Sequence, residues 1–88
     1  MRYKENLMYE NRVTFRTWIL SNKIDKDTPV GDLARDIQRD INFPSTYEYS
    51  EMIGYLNYKR ACFEAKEAFR HAYKQYYRYL TRKQLVEY

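Results

Sequence analysis

Apolar residues recur with a helical period from position 14 onwards. Phe15, Trp18 and Ile19 are spaced i, i+3 and i+4, which places all three on one face of a predicted first helix. Thr14 is the expected N-cap of this helix, because a threonine hydroxyl can accept a hydrogen bond from the first turn. The pattern fades near Asn22 and is followed by a polar segment. The folded part of the chain is therefore predicted to open with a short amphipathic helix and a loop.

The second predicted helix has the clearest start in the chain. Thr28 is followed by Pro29. A threonine cap can accept a hydrogen bond from an unpaired N–H group of the first turn, and proline at the first helical position has no N–H group that needs a partner. Phe43 precedes Pro44 and is expected to close the helix, because the residue before a proline avoids the α region. Gly31 predicts a close approach of another backbone near the helix start. The inward positions are Val30, Leu33, Ala34 and Ile37, while Asp32, Asp36 and Asp40 are expected to pair with Arg35 and Arg39 or to face solvent.

Two further helices complete the pattern. The third is predicted to begin between Ser45 and Ser50, with either serine as its cap, and the last to run from about Phe63 into the region 79–86. No Gly or Pro lies between residues 57 and 63, so either tertiary contacts separate these helices or the two partly merge. The apolar faces are Tyr49, Met52, Ile53 and Leu56 in the third helix, and Ala65, Phe69, Ala72, Tyr73, Tyr76 and Leu80 in the last.

These elements predict an all-α fold, a small bundle of four to five helices with a long basic C-terminal helix. Residues 1–13 are interpreted as an N-terminal extension, in which Leu7, Met8 and Val13 leave a short extra helix open, and residues 14–88 as a single helical domain. Eleven tyrosines among 88 residues suggest rings at the core edge with hydroxyls reaching water. The predicted core residues are Trp18, Leu33, Ile37, Phe43, Ile53, Leu56 and Phe69.

The order of these motifs resembles the YozE family of small proteins from Gram-positive bacteria and their mobile elements. The resemblance covers roughly residues 14–77, and the extension before it and the basic tail after it lie outside the usual family pattern. It implies a sterile-alpha-motif-like helical fold, and it brings no established activity and no catalytic residues. The residues that carry it are Thr14-Phe15 to Trp18, Pro29-Val30-Gly31-Asp32-Leu33-Ala34, Asp40-Ile41-Asn42-Phe43-Pro44, Tyr49 to Tyr55-Leu56, and Phe69 to Ala72-Tyr73 and Tyr76.

Charge is distributed unevenly along the chain. Residues 1–58 hold eight basic and nine acidic residues, whereas residues 59–88 hold eight basic and three acidic ones, so the net charge of +4 belongs to the last third. Five cations recur every four residues on the last helix, which makes a slowly winding ridge. We call this set the basic ridge, and Tyr77 and Tyr79 flank it as expected exposed aromatics. The basic ridge consists of Lys66, Arg70, Lys74, Arg78 and Arg82.

Three interpretations of the basic ridge stay open. It is the solvated outer face of an amphipathic helix, the usual meaning of a charge run. It is a docking surface for an acidic protein. It is an electrostatic nucleic-acid surface, on which phosphates release counterions and Tyr77 or Tyr79 stacks on unpaired bases. No base-reading motif of a familiar kind accompanies it.

The sequence does not favour catalysis, a metal or a cofactor. Cys62 and His71 are nine residues apart, on opposite faces of a continuous helix, so they are not expected to form a nucleophile–base pair. We expect Cys62 to be a buried or half-buried thiol and His71 to be a surface imidazole. The aspartates between positions 25 and 40 lack the spacing of a calcium loop. A lone cysteine and the absence of a signal-peptide core or a spanning apolar run predict a cytoplasmic protein without membrane contact.

The function predicted from the sequence is a non-catalytic protein-interaction or adaptor module that self-associates or binds a host or phage protein. The alternative is electrostatic binding of DNA or RNA through the basic C-terminal helix. No catalytic, cofactor-binding or metal-binding residue and no small-molecule substrate is expected.

Overall fold

Four helices make up the part of the chain that the computed structural model describes, which is the backbone of residues 13–87 and the side chains of residues 13–82. The helices are α1 (Phe15–Lys23), α2 (Pro29–Arg39), α3 (Tyr49–Tyr58) and α4 (Phe63–Glu87). The all-α prediction is confirmed. Of the residues suggested for an extra helix, Leu7 and Met8 lie in residues 1–12, outside the described residues, while Val13 precedes α1 and packs against the core.

The local signals at the first two helix starts are confirmed. The Thr14 hydroxyl accepts a hydrogen bond from the Thr17 N–H at 3.3 Å, and the Thr28 hydroxyl accepts one from the Gly31 N–H at 3.1 Å. Each cap satisfies one N–H group that has no partner within its helix. Gly31 also makes the predicted close approach, because a Cβ built there would lie 1.9 Å from the carbonyl oxygen of Lys26.

Helix α2 ends at Arg39, four residues before the predicted stop at Phe43. The reason is Asp40, whose backbone leaves the helix while its carboxylate accepts hydrogen bonds from the Asn42 N–H at 3.1 Å and from the Tyr55 hydroxyl at 2.6 Å. An aspartate side chain that bonds nearby backbone in this way competes with helix continuation. Asp40 thus departs from the aspartate repeat, whereas the expected pairs Asp32–Arg35 and Asp36–Arg39 are formed.

The hydrogen bond between Asp40 and Tyr55 shifts the ionisation of both groups. Because the hydroxyl of Tyr55 donates to the carboxylate, the pKa of Asp40 is lowered from its usual value. The same bond raises the pKa of Tyr55 to about 12, since an ionised phenolate could no longer donate. The Arg16 guanidinium also donates to the carbonyl oxygens of Ile37 at 3.0 Å and Asp40 at 3.4 Å. The end of α2 is therefore linked by side chains to both α1 and α3.

The third helix starts without either predicted serine cap. Its N-cap residue is Glu48, which makes no side-chain cap hydrogen bond, and Ser50 lies inside the first turn. The Thr46 hydroxyl accepts instead from the Glu48 N–H at 3.1 Å, and the Thr46 carbonyl accepts from the Phe15 N–H at 3.3 Å. The start of α3 is thereby positioned by the preceding loop and by α1.

Helices α3 and α4 are separate, and a local backbone motif separates them. The N–H of Ala61 bonds to the carbonyl of Leu56 at 2.9 Å, and the N–H of Arg60 bonds to that of Asn57 at 3.0 Å. Together these two bonds form a Schellman closure, in which the residue after the C-cap adopts a left-handed conformation. That residue is Arg60, with a φ of 59°. A non-glycine residue therefore occupies the position that glycine usually takes.

Helix α4 packs against each of the other three helices and forms the axis of the core. The ring of Phe15 meets the rings of Phe69 at 5.2 Å and Tyr76 at 5.4 Å between centroids, both edge to face, an arrangement that aromatic quadrupoles favour. Six of the seven predicted core residues are buried. The exception is Ile53, which is half-buried against the core, while its neighbour Met52 is fully buried. The buried apolar side chains are Phe15, Trp18, Ile19, Val30, Leu33, Ala34, Ile37, Phe43, Met52, Leu56, Ala68, Phe69, Ala72 and Tyr76.

Candidate interaction surfaces

The first two members of the basic ridge are engaged within the domain. Lys66 is half-buried and its ammonium donates to the side-chain carbonyl of Asn57 at 3.1 Å, and the Arg70 guanidinium pairs with the Glu67 carboxylate. The ion pair offsets the charge of Arg70, whereas the hydrogen bond to a neutral amide leaves the charge of Lys66 unchanged but holds its ammonium against Asn57. A partner must therefore compete with internal contacts at both residues.

The remaining ridge residues lie on the outer face of α4. Lys74, Arg78 and Arg82 are exposed and make no hydrogen bond or ion pair with any other residue whose side chain is described. Tyr77 lies beside them with 60% of its surface exposed, as predicted. Lys74, Tyr77 and Arg78 border a shallow groove of about 450 Å³, which Tyr73 and Thr81 complete.

Tyr79 does not belong to this surface. Helical spacing predicts an exposed side chain beside the ridge, but the Tyr79 side chain is half-buried and packs against the hydrophobic core. On the helix, Tyr79 lies three residues beyond Tyr76 and seven beyond Ala72, both of which are buried, so it shares their face. Of the two flanking tyrosines, Tyr77 alone is exposed.

A larger cleft lies on the opposite flank of α4, between this helix and the connection from α1 to α2. Its volume is about 630 Å³. Phe63 stands at its edge with 68% of its surface exposed, although phenylalanine usually packs inside. We call this site the cleft. One wall is the α1–α2 wall, formed by Lys23, Lys26, Thr28, Pro29 and Val30, and the other is the α4 wall, formed by Phe63, Glu64, Glu67, Ala68, His71 and Gln75.

The two walls of the cleft carry opposite charges. Lys23 and Lys26 stand on the α1–α2 wall, and Glu64 and Glu67 on the α4 wall. Further along α4, the side-chain nitrogen of Gln75 lies 3.4 Å from Nε2 of His71. The other end of the Gln75 amide, its oxygen Oε1, is buried without a hydrogen-bond partner in the described part of the chain. The cleft therefore combines apolar surface with separated charges.

The arrangement of the helices agrees with a match to a known family. The family model for the YozE SAM-like fold, a sterile-alpha-motif-like fold, matches residues 14–82. The chain belongs to this family. No curated protein and no solved structure matches the sequence.

The match spans the start of α1 to Arg82 in α4, so the basic ridge and the cleft both lie within the YozE SAM-like domain. Membership establishes the fold, and fold alone does not assign a function. Within the described residues, no helix combines the length and apolar character that crossing a bilayer requires.

The cleft of this YozE-family domain was missed by sequence reasoning, although one signal for it is present. Phe63 precedes Phe69 by six positions, roughly 240° around a helix, so the apolar stripe that buries Phe69 excludes Phe63. A phenylalanine outside the stripe indicates an exposed aromatic. The opposite wall of the cleft could not be predicted, because it is formed by the α1–α2 connection, which meets α4 only in the folded domain.

The reactive side chains of the domain lie apart from one another in the sequence and in the fold. Cys62 precedes α4 and is exposed and free, which corrects the expectation of a buried or half-buried thiol. His71 is exposed on α4, as expected. Among the described residues, no group of three His, Cys, Asp or Glu side chains could hold a metal ion.

Proposed function

We propose that this YozE-family domain is a non-catalytic interaction module that binds a protein partner through the cleft. The observation that carries the proposal is the exposed ring of Phe63 at the edge of a cleft of about 630 Å³ with Val30 and Ala68 in its lining. Aromatic side chains are enriched at protein interfaces, where their burial supplies much of the binding energy. In a small domain whose core is already filled, an aromatic ring beside an open cleft is available to a partner.

The chemistry of the described residues supports binding rather than catalysis. Cys62 and His71 stand at different places on the surface, and a nucleophile needs its base within hydrogen-bond reach. A cytoplasmic site of action is part of the proposal, because the single cysteine is exposed and unpaired, which is usual for a reducing compartment. Fractionation of the producing cells would test this location directly.

Site-specific photo-crosslinking tests the proposal. A benzophenone amino acid replaces Phe63 at the edge of the cleft, and a matched variant carries it at Glu51, an exposed position of α3 that does not line the cleft. After irradiation in the producing cells, we expect a discrete protein adduct from position 63 and none from position 51. The same adducts from both positions, or none from position 63, would show that the cleft is not the binding surface.

Electrostatic nucleic-acid binding is the second candidate, and the observation that favours it is that Lys74 and Arg78 pair with no described side chain and lie beside the exposed ring of Tyr77. Two free cations and an aromatic ring along one groove are the elements that single-strand binding uses. The internal contacts of Lys66 and Arg70 weaken this candidate, because a phosphate must compete with Asn57 for Lys66 and with Glu67 for Arg70.

Fluorescence anisotropy with labelled single-stranded and duplex oligonucleotides at low salt tests this candidate. If the ridge binds, Lys74→Glu with Arg78→Glu weakens binding at least about tenfold, because two phosphate contacts become repulsive. A control with the same charge change, Arg39→Glu with Lys59→Glu, lies outside the ridge and should bind like the wild type. Equal losses in both variants would mean that net charge alone governs the interaction, and no binding at low salt would exclude it.

A further inference from the structure

The charges of the cleft form a pattern that is complementary to itself. The α1–α2 wall carries Lys23 and Lys26, and the facing α4 wall carries Glu64 and Glu67, of which Glu67 also pairs with Arg70 in the same chain, so the two walls have opposite signs. Consider a second copy that is related to the first by a two-fold rotation about an axis running along the cleft. This rotation brings the two clefts face to face and exchanges the sides on which their walls lie. The lysine wall of one copy then faces the glutamate wall of the other, twice in each pair of molecules.

We propose that the cleft is a self-association surface through which two copies of this chain dock face to face. The proposal rests on the proposed function, since it names a second copy as the protein that the cleft binds. The four lysine and glutamate side chains of one copy then meet four partners of opposite sign in the other. Interfaces of this isologous kind are the commonest among soluble homo-oligomers.

The apolar residues of the cleft fit the same symmetry. Phe63 stands on the α4 wall, and Pro29 and Val30 stand on the α1–α2 wall. The rotation that pairs the charges also brings Phe63 of each copy against the α1–α2 wall of the other. The exposed ring of Phe63 is thereby buried in the dimer.

Charge complementarity favours a second copy over other occupants. A partner with one sign of charge, such as a nucleic acid or an acidic peptide, would be attracted by Lys23 and Lys26 but repelled by Glu64 and Glu67. A second copy satisfies both walls at once.

A charge-reversal pair tests the proposal by loss and rescue. In one variant Lys23→Glu and Lys26→Glu make both walls acidic, and in the other Glu64→Lys and Glu67→Lys make both walls basic. Each variant alone repels its own copies, and we expect at least about a tenfold rise in the dimer dissociation constant. In an equimolar mixture every acidic wall faces a basic one, so dimers should return. Sedimentation velocity from about 10 µM to about 1 mM covers the range of weak homodimers.

Matched controls separate the cleft from general charge effects. Arg39→Glu with Lys59→Glu, and Glu48→Lys with Glu51→Lys, make the same charge changes outside the cleft and should leave the dimer intact. Circular dichroism of each variant checks the fold. If a charge variant does not fold, Phe63→Ser tests the interface independently. We expect it to weaken the dimer affinity by at least about tenfold.

The outcomes separate this inference from the proposed function. A wild-type protein that stays monomeric throughout, cleft variants that dimerise like the wild type, or a mixture that stays monomeric would each overturn self-association. If the wild type is monomeric and photo-crosslinking at position 63 still captures another protein, the cleft binds a different partner. If dimers form and depend on Phe63 and on both walls, a second copy is the partner.

Discussion

Replacing Gly31 by alanine tests the contact that holds the α1–α2 connection against α2. The added Cβ would lie 1.9 Å from the carbonyl oxygen of Lys26 and 2.8 Å from its carbonyl carbon. The second glycine of the chain, Gly54, provides a matched control, because it is also helical but has open space at its Cβ position. Both substitutions restrict the unfolded chain equally, so the difference between them isolates the contact.

The expected cost follows from the contacts of the connection. A methyl carbon and a carbonyl oxygen need about 3.4 Å, so the Lys26 carbonyl must retreat by about 1.5 Å. The Arg35 guanidinium holds that carbonyl at 3.1 Å and the Ile24 carbonyl at 2.8 Å, so the retreat strains two charge-assisted hydrogen bonds. We expect Gly31→Ala to lose about 2–4 kcal/mol. Gly54→Ala should gain about 0.5–1 kcal/mol from helix propensity.

Thermal and urea unfolding, followed by circular dichroism at 222 nm, measure the difference. A domain of this size changes its melting temperature by about 4–8 °C per kcal/mol, so the two variants should differ by more than about 10 °C. In NMR spectra of Gly31→Ala, the largest amide shifts should fall on the segment around Lys26. If Gly31→Ala equals or exceeds the wild type in stability, the close approach does not exist in solution and the packing of the connection is wrong.

Three further substitutions test other parts of the fold. Arg60→Gly should stabilise the domain by about 1 kcal/mol in urea unfolding, because glycine adopts the left-handed conformation without a Cβ penalty, and a loss would contradict the Schellman closure. Tyr55→Phe should destabilise at neutral pH but have less effect in acid, once the pH falls below the lowered pKa of Asp40; an equal effect at both pH values would refute their pairing. Tyr76→Phe should cost about 1–2 kcal/mol, since its hydroxyl donates to the Val13 carbonyl at 2.5 Å, and a neutral result in thermal unfolding would exclude that bond.

The signs of the pH dependence follow from the two pKa shifts. Asp40 has a lowered pKa, so its contribution to stability is present above the unfolded value near 4 and is lost as the pH falls through the folded value. Tyr55 has its pKa raised to about 12, so its contribution is complete below the unfolded value near 10 and is lost as the pH rises through the folded one. The pair therefore supports the fold fully between about pH 4 and pH 10.

Helix starts could be predicted from the sequence where their determinants are local. Thr14 and Thr28 cap their helices through their own hydroxyls, and the residues that define these caps are sequence neighbours. The end of α2 could not be predicted, because Asp40 is held by Tyr55 from a different helix. The break between α3 and α4 could not be predicted for another reason. Arg60 adopts the left-handed conformation there, and no glycine in the sequence marks the position.

The candidate surfaces also divide into features that helical spacing predicts and features that depend on tertiary contacts. The ridge cations on the exposed face of α4 follow from helical spacing, and Lys74 and Arg78 are exposed as that spacing predicts. Spacing alone could not show that Lys66 reaches Asn57 across the α3–α4 junction. It also could not reveal the cleft, whose lysine wall comes from a connection distant from α4 in the sequence.

The bond between the Tyr76 hydroxyl and the Val13 carbonyl spans almost the whole described chain, and it has a consequence for biosynthesis. Phe15 is among the first described residues to leave the ribosome, yet the rings of Phe69 and Tyr76 that cover it are made last. Until α4 is complete, the apolar face of α1 has no α4 to pack against. The complete core therefore forms only after synthesis of α4, and a chain interrupted before Phe69 leaves the ring of Phe15 without these two neighbours.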